Sequence, residues 1–393
     1  MAGAWAGDPA GGPAGDSAGG PASDGPAVIF RVADPEHALT GVRLSQDVRI
    51  PGDRLGFHRE GDGWELLVAR PPVHRMEYLL ELAYPDGGTA TVTDPANPRQ
   101  APGAFGPKSV LEFAEYTTPA WLTAPGGPGR SDSFAVPAPT LNDATLSDAT
   151  LNDATLSDAT LSDAAPNDAA VPVRIWSPED APDDEPLPLL VAHDGPEYDE
   201  LASLTHYLAA GINAGWLPRL RAALLAPGNR PGDRDNWYSA NPRYARVLAR
   251  AVLPALARKI AITQKIGLGA SLGGLALLHA HCRHPDAFDG LFLQSGSFFS
   301  PRFDAHERRF RYYPRVVRFV RSLGASLPDR TIPVGLTCGV IEENVDNNRL
   351  ATQTLRDHGY PAELHEVPDM HNYTAWRDGF QPYLTELIGQ VSE

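Results

Sequence analysis

Apolar positions follow two different patterns along this chain. From Ala27 to about Leu122, short strand-like segments are separated by turn sequences such as Pro85-Asp86-Gly87-Gly88. Several short strands at this spacing predict a small β-sandwich, which we place at residues 27–125. From residue 126 to 393, near-continuous apolar segments alternate with amphipathic ones. This alternation predicts an α/β domain with a mostly parallel sheet and helices on both faces.

The second pattern predicts individual elements as well. Strands are predicted at 133–136, 171–176, 187–192, 221–226, 265–268, 291–294, 332–338 and 362–367. Helices are predicted at 199–211, 241–259, 274–280, 305–323, 345–358 and 373–389. In an open sheet of this kind, catalytic groups belong at the carboxyl ends of the strands.

Two low-complexity segments interrupt these patterns. Residues 1–26 are rich in Gly, Ala, Pro and Asp and are expected to be disordered. Residues 140–164 repeat a pentad such as Thr140-Leu141-Asn142-Asp143-Ala144. A pentapeptide β-helix is the alternative, but about five pentads form little more than one coil. We favour a solvated acidic insertion over 140–170, in a hairpin connection of the second domain, where long insertions cost little entropy.

Composition excludes several classes of partner. The formal net charge of −16 argues against nucleic acid and anionic membranes. No segment is apolar for long enough to span a membrane, and residues 1–25 lack the features of a signal peptide, so a cytoplasmic location is expected. The two cysteines, Cys282 and Cys338, are expected to be small buried hydrophobes without a disulfide or metal site. No cofactor is expected, and the oligomeric state is not predicted.

The most informative motif is Gly269-Ala270-Ser271-Leu272-Gly273, which has the pattern G-x-S-x-G. The five letters alone are weak evidence in a chain rich in Ala and Gly. Here, however, an apolar strand precedes them and good helix formers follow. A nucleophile elbow requires this context, because it holds a serine on a tight turn between strand and helix. Ser271 is therefore the candidate nucleophile.

A serine nucleophile needs a base, and the base needs an orienting acid. His371 is the best candidate base because it follows the last predicted strand; His358 ends a helix and His365 lies within a strand. The acid is expected after the strand 332–338, where three acidic residues qualify: Glu342, Glu343 and Asp346. We choose Glu342, which follows the Gly339 turn most closely. The alternative is that this acidic loop only complements a helix dipole.

Two backbone N–H groups are expected to stabilise the oxyanion. One is that of Leu272, directly after the nucleophile. The second is expected in the loop His193–Tyr198, where Pro196 has no N–H to give. Gly195 is our choice for this donor, with Glu197 as the alternative.

Together these residues resemble the enterochelin (ferric-siderophore) esterase-like group of α/β-hydrolases, within the esterase D and antigen-85 superfamily. The resemblance covers nearly everything from residue 27 onward. It rests on His193-Asp194-Gly195, the G-x-S-x-G motif, Gln294-Ser295-Gly296-Ser297-Phe298-Phe299, Cys338-Gly339-x-x-Glu342, Asp369-Met370-His371-Asn372 and Asp94-Pro95-Ala96-Asn97-Pro98.

The resemblance implies ester hydrolysis through an acyl-enzyme, with Ser271 as nucleophile, His371 as base and Glu342 as acid. It also implies an immunoglobulin-like N-terminal domain, a small-molecule ester substrate and a cleft lined by Arg234 and Asn241, to which we add Tyr198. Two departures are Pro196 and Asp369-Met370, where the family usually has Gly-Gly before the histidine.

A siderophore substrate is not marked by any motif. A weak candidate patch for one lies in a predicted helix, at Arg308, Arg309, Arg311, Tyr312 and Tyr313. Two other functions remain as alternatives: an acyltransferase on the same fold, and a non-catalytic interaction protein with a degenerate hydrolase domain.

Overall fold

The computed structural model describes residues 2–6, 27–46, 52–141, 169–325 and 327–392. They form two compact units. Unit 1 contains Met1–Thr117 together with two later segments, Gly339–Glu342 and Pro368–Thr374, and unit 2 contains the rest. The chain therefore passes between units near residue 117, earlier than the boundary predicted at 125. The reason is Trp121, which is buried in unit 2 with its ring centroid 5.3 Å from that of Tyr207.

The described residues of unit 1 form nine short strands. They are β1 Ala2–Ala6, β2 Ala27–Ala33, β3 Gly41–Gln46, β4 His58–Glu60, β5 Gly63–Ala69, β6 Arg75–Ala83, β7 Thr89–Val92, β8 Gln100–Ala101 and β9 Lys108–Glu112. One sheet has the order β1-β2-β5-β4, and the other has the order β3-β6-β9-β8 with β7 beside β6. All described pairings in both sheets are antiparallel.

The two sheets of unit 1 share one hydrophobic core. Val28, Phe30 and Val32 point into it from alternate positions of β2, and Leu44 and Leu80 point into it from the other sheet. This alternation is what a strand with one buried face requires. It explains why the segments before residue 117 were recognisable as strands.

The first strand corrects one expectation. Residues 2–6 were expected to belong to a disordered tail, but they form β1, which pairs with β2 in the register Ala4 to Phe30. Backbone pairing with an open strand edge requires no amphipathic sequence pattern, so composition did not indicate it. The rest of the expected tail, residues 7–26, lies outside the described residues.

Asp94 and Asn97 of the Asp-Pro-x-Asn-Pro sequence form hydrogen bonds with residues of β6 and β9. The Tyr78 hydroxyl donates to Asp94 Oδ2 at 2.7 Å, and Asp94 N donates to Ser109 Oγ at 2.7 Å. Asn97 Nδ2 donates to the Val110 carbonyl at 2.8 Å. The motif therefore has a structural role in unit 1.

Unit 2 contains a mixed eight-stranded sheet. Its strands are β10 Gly129–Pro137, β11 Ala170–Pro178, β12 Leu187–His193, β13 Arg221–Leu225, β14 Ile262–Ala270, β15 Gly290–Gln294, β16 Val334–Gly339 and β17 Ala362–Val367. The order is β10-β11-β13-β12-β14-β15-β16-β17. The pairs β10–β11 and β11–β13 are antiparallel, whereas the pairs from β13 through β12, β14 and β15 to β16 are parallel.

In the described part of the chain, ten α-helices accompany this sheet. They are α1 Gly195–Ala202, α2 Leu204–Ala214, α3 Asp233–Tyr238, α4 Pro242–Val247, α5 Leu253–Lys259, α6 Leu272–Arg283, α7 Tyr313–Leu323, α8 Val345–Asp357, α9 Tyr373–Asp378 and α10 Thr385–Ser392. Short π-helical turns connect α4 to α5 and α9 to α10. Among the described residues, no helix has the length and apolarity needed to cross a membrane.

The predicted helix 199–211 is instead two helices. The chain breaks at Ser203, which has a φ of 55°. Asp199 makes the break possible, because its Oδ1 accepts a hydrogen bond from Thr205 N at 3.1 Å and so caps the start of α2. The first of the two helices also begins earlier than predicted, at Gly195.

The pentad repeat lies in the connection between β10 and β11, whose last described pair is Pro137 with Ala170. Residues 142–168 lie outside the described residues, so the predicted conformation of most of the insertion stays a prediction. Its first residues differ from the expectation: Pro139–Leu141 form a 3-10 turn, and the Leu141 side chain is buried in the core of unit 2.

Candidate active site

Ser271 lies on a sharp turn between β14, which ends at Ala270, and α6, which begins at Leu272. Its φ of 54° and ψ of −123° are rarely adopted by a residue with a side chain. The surrounding structure fixes this conformation, since Ser271 N donates to the Gln294 carbonyl at 2.8 Å. A strained serine held in this way is a feature of functional sites.

The first glycine of the motif, Gly269, lies where the chain has no room for a side chain. A Cβ at this position would lie 2.7 Å from the Gly273 carbonyl carbon. No side chain is tolerated at that distance, so the absence of a Cβ lets the first turn of α6 pack directly on the end of β14.

The hydroxyl of Ser271 has a second serine as its neighbour. Ser271 Oγ and Ser297 Oγ are 3.0 Å apart, and Ser297 N donates to the Ser271 carbonyl at 3.1 Å. Ser297 is buried. No role for Ser297 follows from the sequence, although it lies shortly after the end of β15.

His193 supports the turn at Ser271 through two hydrogen bonds. Its Nδ1 is 3.0 Å from the Gly273 carbonyl oxygen and its Nε2 is 2.9 Å from the Tyr244 hydroxyl. Because a carbonyl only accepts, Nδ1 carries the proton and the tyrosine donates to Nε2. Full burial lowers the pKa of His193 to about 4, so the ring is neutral at pH 7. Both of its ring nitrogens are engaged in hydrogen bonds that hold α6 in place.

The turn after β15 is a buried polar network. Ser295 has a φ of 49°, its N donates to the Thr337 carbonyl at 2.6 Å, and its Oγ accepts from Trp376 Nε1 at 2.9 Å. Asn348 exchanges two hydrogen bonds of 3.0 Å with the backbone of Gly296. This network fixes the segment that carries Ser297.

In unit 1, Glu342 and His371 form a hydrogen-bonded pair. His371 Nδ1 donates to Glu342 Oε2 at 2.7 Å, and Gly339 N donates to Glu342 Oε1 at 2.7 Å. The Glu342 side chain is 2% exposed and that of His371 is 34% exposed. The acid is therefore fixed and buried while the imidazole reaches the surface.

The alternative candidates have other partners. Glu343 Oε2 lies 2.9 Å from His306 Nε2, and Asp346 pairs with Arg349 on one face of α8. His358 Nδ1 lies 2.9 Å from the Thr354 carbonyl, and the His365 ring stacks on Tyr383. Of the acids considered, Glu342 is the one for which a contact with His371 is described.

The two predicted oxyanion donors begin two helices. Leu272 is the first residue of α6 and Gly195 is the first residue of α1. N–H groups in a first helical turn have no partner within their own helix. Asp194 precedes α1 with a φ of 49°, and a Cβ on Gly195 would lie 2.6 Å from Leu224 Cβ. This position therefore requires glycine.

Comparison with known proteins identifies the family. Residues 166–387 match the family described as putative esterase. The chain belongs to the putative esterase family. It is a carboxylic-ester hydrolase, as the motifs predicted. None of the curated proteins matches it in sequence.

Solved structures agree with the family. The ferric enterobactin esterase of Salmonella typhimurium is similar at a TM-score of 0.68 and 19% identity, over 93% of this chain and 95% of that one. The enterobactin esterase of Shigella flexneri, in the presence of enterobactin, gives 0.68 and 17%, over 93% and 92%. A ferulic acid esterase gives 0.51 and 14%, over 67% of this chain and 99% of its own. At these identities the likeness shows the fold.

Two of the three residues predicted to bind substrate make hydrogen bonds that support the fold. Tyr198 is fully buried, and its hydroxyl donates to Gln294 Oε1 at 2.9 Å. Asn241 is the N-cap of α4, where its Oδ1 accepts from Arg243 N at 2.9 Å. Sequence position alone did not distinguish a cleft residue from a helix cap.

Arg234 is the predicted substrate-binding residue that reaches the surface. Its side chain is 38% exposed, and its guanidinium donates to both oxygens of the buried Asp194 carboxylate at 2.9 and 2.7 Å. It therefore holds the loop that carries Gly195, and part of its side chain is exposed.

Proposed function

We propose that this protein is a serine esterase that hydrolyses carboxylic esters through an acyl-enzyme, with Ser271 as nucleophile, His371 as general base and Glu342 as orienting acid. The observation that carries the proposal is the conformation of Ser271: a strained serine at a strand-to-helix turn, with its hydroxyl displayed beside a second hydroxyl. This conformation supports the proposal that the turn is a nucleophile elbow.

The base is supported by its partner and by chain order. Because His371 Nδ1 donates to Glu342, the proton-accepting role falls to Nε2. Ser271 follows β14, Glu342 follows β16 and His371 follows β17, which is the order nucleophile, acid, base of elbow enzymes.

The reaction then proceeds in two halves. Ser271 Oγ attacks the ester carbonyl while His371 takes its proton and passes it to the leaving alcohol. A water molecule, deprotonated by the same histidine, then attacks the acyl carbonyl, and His371 returns the proton to Ser271 Oγ as the carboxylic acid leaves. The N–H groups of Leu272 and Gly195 are the proposed donors to the tetrahedral oxyanion.

For the substrate we propose a small-molecule ester, with siderophore-type lactones as the first class to test. The similar solved structures include enzymes named for enterobactin. In this chain, Arg308, Arg309 and Arg311 are exposed, and Arg311 lies over the Tyr312 ring at 5.4 Å. Exposed cations beside an aromatic ring favour an anionic aromatic ligand.

The proposal is tested with p-nitrophenyl acetate and a panel of esters that includes enterobactin. Ser271→Ala is expected to lower kcat by at least about 10³-fold while the protein stays folded. Full activity of that variant would overturn the proposal. If an added alcohol, rather than water, is required for turnover, the enzyme is an acyltransferase.

We also infer that unit 2 is an α/β-hydrolase domain and that unit 1 is an immunoglobulin-like domain, as the sequence predicted. The parallel pairs from β13 to β16 support an α/β-hydrolase domain, and the two antiparallel sheets of unit 1 support an immunoglobulin-like domain.

A further inference from the structure

Arg75, the first residue of β6, is a buried cation with three polar partners. It is 2% exposed. Its Nη2 donates to Glu77 Oε1 at 2.8 Å, and its Nη1 donates to Asn372 Oδ1 at 3.1 Å and lies 3.4 Å from Asp369 Oδ2. Two of the three partners come from the segment Pro368–Thr374, nearly 300 positions later in the chain, which carries His371.

Every residue around His371 is anchored in unit 1. The Pro368 carbonyl accepts from His74 N at 2.8 Å. Asp369 Oδ1 accepts from Met370 N at 2.7 Å, and Asn372 N donates to the Met370 carbonyl at 3.0 Å. The Met370 side chain is 1% exposed and belongs to the hydrophobic core of unit 1. His371 is thus a partly exposed residue between two buried neighbours, Met370 and Asn372.

The segment Pro368–Thr374 also supports Glu342. A Cβ on Gly339 would overlap the Asp369 carbonyl oxygen and would lie 2.9 Å from Glu342 Oε1. Asp369 therefore packs directly against the turn whose N–H group donates to Glu342. A shift of Asp369 would disturb both members of the pair between His371 and Glu342.

Stability alone gives little reason for this cluster. Arg75, Glu77 and Asp369 are all at most 9% exposed, and removing three ionic groups from water costs about as much as their attraction returns. What the cluster supplies is geometry, since the planar guanidinium fixes the directions of two hydrogen bonds at once.

We propose that Arg75 is a positioning residue that holds the His371 segment, and with it the pair His371–Glu342, in its reactive geometry. The inference rests on the proposed function. It assigns to strand β6 a part in the reaction that the motifs of the chain do not indicate.

The test compares Arg75→Gln with the control Arg59→Gln. Arg59 lies in the same unit and donates to the buried Asp34 carboxylate at 2.7 Å, but no described partner of it comes from either later segment. We expect Arg75→Gln to lower kcat by about 10- to 100-fold with little change in KM, because small misplacements of a base cost this much. Labelling of Ser271 by a fluorophosphonate should slow by the same factor, and Arg59→Gln should change neither rate.

Two further variants keep the test usable if Arg75→Gln does not fold. Asn372→Ala removes one acceptor but keeps the pair Arg75–Glu77, and should lower kcat by about tenfold without a large change in Tm. Arg75→Lys keeps the charge but loses the planar fork, and should be intermediate.

The outcomes separate the two proposals. Unchanged kcat and labelling rate in folded Arg75→Gln, or in Asn372→Ala if the first variant does not fold, would overturn the positioning role while leaving the esterase intact. A fully active Ser271→Ala would overturn the esterase mechanism itself. Equal losses in Arg75→Gln and Arg59→Gln would show a general structural effect and also overturn the inference.

Discussion

The turn at Ser271 and the segment around His371 are stabilised in opposite ways. Ser271 is shaped by its own neighbours in the chain: Gly269 allows the close approach, and α6 begins at the next residue. His371 is shaped by residues far away in sequence, above all Arg75. The motif around Ser271 is recognisable from consecutive residues, whereas the contacts that hold His371 are recognisable only in the folded chain.

The largest effect is expected at the base. His371→Ala should lower kcat/KM by about 10⁴-fold, because the serine then has no proton acceptor. His365→Ala is the matched control. His365 lies within β17 and its ring stacks on that of Tyr383, so it should be dispensable. A large loss in the His365→Ala control, together with no loss in His371→Ala, would show that His371 is not the base. Steady-state kinetics on p-nitrophenyl acetate measures both.

The acid comes next. Glu342→Gln keeps the shape but loses the carboxylate that accepts from His371, so kcat should fall by about 10²- to 10⁴-fold. Glu343→Gln should stay near the wild-type rate, because Glu343 faces His306 instead. Equal rates in the two variants would remove Glu342 from the mechanism.

A smaller effect is expected from packing at the nucleophile. Gly269→Ala forces a Cβ to within 2.7 Å of Gly273 and should destabilise the protein by about 1–3 kcal/mol. Gly389→Ala in α10 is the control, because its added Cβ meets nothing within 4 Å and alanine favours a helix by about 0.5–1 kcal/mol. Denaturant unfolding should show opposite signs for the two. A neutral Gly269→Ala would contradict the close packing of α6 on β14.

The smallest effect is one of pH. The folded-state pKa of His193 is about 4, below its ordinary value of 6.5, so the unfolded chain binds a proton that the folded chain refuses. This group therefore lowers stability as the pH falls from about 6.5 to about 4. His193→Gln should make Tm fall less steeply over that range. An unchanged slope would show that the ring is not held neutral.

The sequence alone predicted much of this architecture and singled out candidates for the site. Periodicity located several strands of unit 1, and the strands and most helices of unit 2, because burial on one face or two leaves a visible pattern. The motif and the chain order singled out Ser271, Glu342 and His371. Contacts between residues that are far apart in the sequence could not be predicted in this way. The hydrogen bond from Arg75 to Asn372 and the one between Ser271 and Ser297 are examples.

Two residues that were predicted to line the cleft have hydrogen-bond partners within the protein. Tyr198 and Asn241 follow strand or loop positions that suit a cleft, but one hydroxyl turns inward to Gln294 and one amide caps α4. A polar residue near a strand end can serve either purpose, and only its hydrogen-bond partners decide between them. The early strand β1 was missed because backbone pairing leaves no side-chain pattern.

The central claim is that Ser271, and not its neighbour Ser297, is the nucleophile activated by His371. The most direct measurement is labelling with a fluorophosphonate followed by mass spectrometry of the modified peptide. We expect one label on Ser271 in the wild type, an unchanged site in Ser297→Ala, and strongly slowed labelling in His371→Ala. A label on Ser297, or a rate that does not depend on His371, would contradict the account.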